Sequence, residues 1–69
     1  MHIEQLVKMA NDIGTFFSAE TDSETAIAGV ADHLKKFWDP RMRRQIVEFQ
    51  QSGGAGLKDI VQQAVQRLG

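Results

Sequence analysis

A chain of 69 residues with 42% hydrophobic content, a single proline and no cysteine is long enough for one domain, too apolar for disorder, and lacks the thiols of a disulfide framework or zinc-finger set. Its formal net charge of −1 conceals a division: residues 1–34 carry six acids and one base, residues 35–44 five bases and one acid, and residues 45–69 two of each. An acidic first half makes a poor general binder of polyanions, and no apolar run reaches the roughly 18 residues of a membrane span.

Ile3, Leu6, Val7, Ala10, Ile13, Gly14 and Phe17 recur at three- and four-residue intervals and predict a helix over residues 2–19. Met9 and Phe16, seven apart, fall on one line away from the centre of that stripe. They are surplus apolar surface, suited either to the edge of a core or to contact with another protein. Thr21 and Glu24 have the spacing of a capping box and open a second helix over 22–38. Its inward face is Ala26, Ile27, Val30, Ala31, Leu34, Phe37 and Trp38, with Asp32, Lys35 and Lys36 outward.

Asp39-Pro40 ends that helix, because a residue before proline is pushed out of the helical region. The same pair starts the next, over 40–52, with Asp39 as cap and Pro40 at the first helical position. Met42, Ile46 and Phe49 point inward, and Ser52-Gly53-Gly54 is the stop. A fourth helix over 57–68 sets Leu57, Ile60, Val61, Ala64, Val65 and Leu68 against Asp59, Gln62, Gln63 and Gln66. No stretch shows the alternation of a strand. The expected fold is therefore all-α, a single domain over 1–69 built as a small bundle of four short helices.

Chemistry is sparse. No nucleophile–base pair, matched carboxylates or metal-ligand spacing can be found. Asp32 and His33 are adjacent and point about 100° apart on a helix, so His33 reads as an interhelical hydrogen-bonding group. The glycine segment 53–57 has no preceding strand and no Lys-Ser/Thr pair, so it reads as a helix-to-helix turn rather than a phosphate loop. The densest feature is Phe37-Trp38-Asp39-Pro40-Arg41-Met42-Arg43-Arg44, which places aromatics just before a corner and guanidinium groups around the first turn after it. Trp38 can serve as the core's largest plug or as part of a docking surface. The arginines can be solvated and loosely paired to acids such as Glu48, or reach toward carboxylates and carbonyls of a partner.

Two segments, Leu6-Val7-Lys8-Met9-Ala10-Asn11-Asp12-Ile13-Gly14-Thr15-Phe16-Phe17 and His33-Leu34-Lys35-Lys36-Phe37-Trp38-Asp39-Pro40-Arg41-Met42-Arg43, precede Gly53-Gly54-Ala55-Gly56-Leu57. In order and spacing the three resemble the small delta subunit of NAD-dependent formate dehydrogenases, over nearly the whole chain. Ala55 and Lys58-Asp59 depart from that pattern, which has an acid in the loop and a Ser or Pro as helix starter. The resemblance implies a non-catalytic, cytoplasmic accessory subunit in a hetero-oligomer. Its partner would be the large molybdenum-containing catalytic alpha subunit, whose assembly, cofactor loading or stability it would support. The molybdenum cofactor and iron–sulfur clusters would lie in alpha, flavin and NAD in other subunits, and no cofactor, catalytic or metal-binding residue in this chain.

The residues expected to meet the partner are Met9, Phe16, Phe37, Trp38, Pro40, Arg41, Met42, Arg43 and Arg44. Competing with this is a small helical nucleic-acid-binding regulator that uses the Lys35–Arg44 cluster on phosphates. The acidic first half opposes it, and neither a nucleic-acid nor a membrane partner is expected. A self-associating bundle is a third possibility, and an enzyme ranks last.

Overall fold

Each apolar stripe becomes a helix. The computed structural model describes residues 2–68 and contains α1 (Ile3–Phe17), α2 (Ser23–Phe37), α3 (Pro40–Gln51) and α4 (Asp59–Gln66), with no strand among the described residues. Met1 and Gly69 lie outside them.

The helices are shorter than their periodic patterns, and local chemistry explains each end. α1 ends at Phe17: the Ser18 amide still makes the last helical bond, to the Gly14 carbonyl at 2.8 Å, and the Ser18 hydroxyl turns back on the helix end to donate to Thr15 O at 2.7 Å. The start of α2 corrects the capping-box expectation. Asp22, not Thr21, is the N-cap, accepting from the Thr25 amide at 3.3 Å and the Thr25 hydroxyl at 2.8 Å. Those bonds, the hydroxyl's foremost, hold the Asp22 carboxyl below its ordinary value. Glu24 is drawn elsewhere, to an ion pair with Arg67 at 2.6 Å. At α3 the expected arrangement forms: Asp39 accepts from the Met42 amide at 2.9 Å, and Pro40 occupies the first turn.

α3 closes with a glycine-based cap. Gly53 N–H donates to Gln50 O and Gly54 N–H to Phe49 O, each at 3.0 Å, the paired bonds of a Schellman motif. Gly53 and Gly54 have φ of 120° and 63°, a region open to glycine at little steric cost. The chain is then extended at Lys58, φ −62° and ψ 153°, so α4 begins at Asp59, not at Leu57. Leu57 is nevertheless buried.

Packing sets the helix order around the bundle. α1 is flanked by α2 and α3, and so is α4, with a further contact between α1 and α4 across the middle; α2 against α4 is the most extensive pairing. Leu6, Val30, Leu34, Ile46, Val61 and Val65 are the largest fully buried side chains, contributed by all four helices. α1 and α4 approach closely because position 14 is glycine: a Cβ there would lie 2.5 Å from Val61 Cγ2, inside van der Waals contact. The exposed surface of 4363 Å² is close to the roughly 4,300 Å² of an ordinary monomer of this mass. Any docking surface is thus a local patch, and the place to seek it is where large apolar or unpaired charged groups face water.

Candidate functional site

The corner between α2 and α3 is built from inside outward. Trp38 leaves the helix in extended backbone, φ −88° and ψ 136°, and its indole is 5% exposed and part of the core. Of its two sequence readings the structure realises the core plug, so a surface role for the indole is corrected. Phe37 takes the opposite course. It was expected inward but is 71% exposed, because Trp38, one residue later and out of helical geometry, turns into the space the stripe would have given it. Met42 is half-buried and packs on the core.

Arg43 also departs from expectation. Rather than reaching outward, its Nη1 donates to Lys35 O at 2.9 Å and to Trp38 O at 2.6 Å. These carbonyls end α2, where acceptors lack intrahelical partners and the helix dipole favours a cation. Arg43 therefore ties the start of α3 to the end of α2 and stiffens the corner.

Arg41 and Arg44 are left facing water, and neither has an ion-pair partner among the described residues, Glu48 included. Pro40 and Arg44, one turn apart, divide two shallow depressions. One, of about 470 Å³, is lined by Asp39, Pro40, Arg41 and Arg44. The other, of about 430 Å³, has an apolar floor of Pro40, Val47 and Leu68 beneath Lys35, Arg43 and Arg44. The basic cluster is thus thinner than its residue count: Lys36 pairs with Asp32 at 3.1 Å and Arg43 is spent on carbonyls, which leaves Lys35, Arg41 and Arg44 as its outward charges.

A second feature runs along the α1–α2 face. Phe16 is 75% exposed and Met9 36%. Ring centroids step from Phe16 to Phe17 at 5.1 Å, to His33 at 6.4 Å and to Phe37 at 4.8 Å. In place of the expected hydrogen-bonding role, His33 meets Phe17 edge-on and Phe37 at a tilt; no hydrogen bond from its side chain is found among the described residues. Phe17 is seated over Gly29, its ring filling the space a side chain there would need. Between these groups lies an almost wholly apolar depression of about 330 Å³, lined by Asp12, Ile13, Phe16, Phe17 and His33.

The glycine loop is held by a residue the sequence reading quoted but gave no role. The Asn11 side chain donates to Gly56 O at 2.8 Å and accepts from the Lys58 amide at 3.0 Å. Gln62 adds a bond from its amide to Gly54 O at 3.1 Å. Lys58, at the N-cap of α4, makes no side-chain cap bond of its own; Asn11 instead satisfies the Lys58 backbone N–H from α1, the amide that a capping box serves from within the helix.

No three His, Cys, Asp or Glu side chains among the described residues are placed to hold a metal, and the absence of cysteine from the sequence removes the usual iron–sulfur ligands. Among the described residues no helix is long and apolar enough to cross a membrane. Compared with known families, residues 5–65 match the model of the NADH-dependent formate dehydrogenase delta subunit FdsD. The chain belongs to the FdsD family. No curated protein and no solved structure matches it. The FdsD match runs from within α1 to within α4 and takes in Asn11, the aromatic row, the Arg41–Arg44 corner and the glycine loop, while Arg67 and Leu68 lie beyond it.

Proposed function

We propose that this chain is a non-catalytic accessory subunit of a cytoplasmic formate dehydrogenase, that it docks on the large molybdenum-containing catalytic subunit, and that it supports that subunit's assembly, cofactor loading or stability. Membership of the delta-subunit family supplies the complex. The observation that carries the docking is the Arg41–Arg44 corner: two exposed guanidinium groups without side-chain partners among the described residues, on a turn stiffened by Arg43, Asp39 and the buried Trp38. Guanidinium forks pair bidentately with carboxylates, and a rigid corner loses little conformational freedom when it meets them.

In this reading the molybdenum cofactor, iron–sulfur clusters, flavin and NAD reside in the partner subunits. Because association stabilises whatever state it selects, the chain can hold the large subunit ready for loading or closed after it. The test is to tag the chain in its own cells and identify what co-purifies. Recovery of a molybdenum-containing subunit together with formate dehydrogenase activity is the expected result. Recovery of nucleic acid without the dehydrogenase overturns the reading.

A further inference from the structure

The cationic corner accounts for neither Phe16 nor the depression beside it. Phe16 and Phe37 are the most exposed large apolar side chains among the described residues, and burying them on a partner makes the aromatic row a stronger source of affinity than a surface ion pair. The row's own polarity describes what covers it. Its depression has one charged lining group, the Asp12 carboxylate, and it lies on the half of the chain with six acids against one base, opposite in sign to the corner.

Among the described residues Asp12 is satisfied only by Lys8, at 2.8 Å on an exposed surface, a pairing that a better-placed cation displaces at little cost. A carboxylate beside exposed aromatic faces is the arrangement that receives a guanidinium group: charge-assisted hydrogen bonds go to the acid, and the planar cation stacks on a ring. Met9, Asp12 and Phe16 at i, i+3 and i+7 share one line on α1, so a segment lying along that line meets apolar surface on either side of the acid.

Resting on the accessory-subunit reading, we infer that the α1–α2 aromatic face is a second part of the docking footprint, and that it takes a partner segment carrying an apolar side chain for the depression and an arginine for Asp12. The Arg41–Arg44 corner takes a different, acidic segment. The footprint is therefore bipolar, and the opposed charges fix the orientation in which the chain binds.

Photo-crosslinking in the assembled complex separates the possibilities. A benzoylphenylalanine replaces Phe16 in one preparation and Arg44 in another, and the linked peptides are sequenced. Position 16 is expected to link to an apolar peptide containing arginine, and position 44 to a different peptide rich in Asp or Glu. Linkage of both positions to one peptide, linkage of position 16 to an acidic segment or a second copy of the chain, or a link at 44 with none at 16, overturns this inference and leaves the accessory-subunit reading standing. No link from either position to any dehydrogenase subunit overturns both. As a second arm, Phe16→Ala with Phe37→Ala, at positions too exposed to unfold the chain, is expected to weaken binding to the complex at least tenfold, and unchanged binding counts against the inference.

Discussion

The loop between α3 and α4 and the corner between α2 and α3 both carry sequence motifs, yet they dispose of their polar groups in opposite directions. In the loop, Asn11 and Gln62 turn inward and satisfy Gly54 O, Gly56 O and the Lys58 amide. At the corner one arginine, Arg43, is used in the same inward way, while Arg41 and Arg44 face water. A polar motif side chain that closes a backbone group is thereby tied to the fold, as Arg43 is; Arg41 and Arg44, which close none among the described residues, are the ones proposed for docking. The contrast separates neighbouring residues of one motif, Arg43 from Arg44, which charge and spacing alone treat as equivalent.

Four variants test that contrast. Trp38→Ala removes the core anchor of the corner and is expected to cost about 3–5 kcal/mol, comparable to the whole stability of so small a domain; a thermal melt followed by circular dichroism should show a largely unfolded chain. Arg43→Met keeps the aliphatic stem but deletes the donors to Lys35 O and Trp38 O, and about 1–2 kcal/mol of stability should go with them. A melt unchanged from wild type would mean that the corner does not depend on this tie. Asn11→Ala should cost about 1 kcal/mol and be felt locally, as faster hydrogen exchange at the Leu57 and Lys58 amides while α2 and α3 keep their protection. Uniform loss of protection would show that the loop and corner are one cooperative unit. Arg41→Glu with Arg44→Glu should move stability by no more than about 0.5 kcal/mol in the same melt, since neither side chain bonds to another group among the described residues.

The inward faces of all four helices were legible because a 3.6-residue period needs only local information. The Asp39-Pro40 corner and the glycine stop were legible for the same reason, each being a contact among residues adjacent in sequence. What escaped was long-range or competitive. Asn11 meets backbone 45 and 47 residues away, and nothing in its neighbourhood marks it as the partner of the glycine loop and the Lys58 amide. Glu24 fits a capping box, but Arg67, brought alongside by the pairing of α2 with α4, offers it an ion pair, and Asp22 takes the cap. Phe37 sits in the apolar stripe by spacing, and only the extended backbone at Trp38 decides which of the two aromatics enters the core. Within the candidate site, Arg41 and Arg44 were legible as cations. That Arg43 differs from them required the positions of the α2 carbonyls.

The central claim is that the outward arginines serve a partner and the inward one serves the fold. The most direct test is the dissociation constant of the purified chain for the large catalytic subunit, wild type against Arg41→Glu with Arg44→Glu, with helical content checked on each sample. The account predicts at least a tenfold loss of affinity at unchanged helical content. Wild-type affinity in the folded double variant would contradict it.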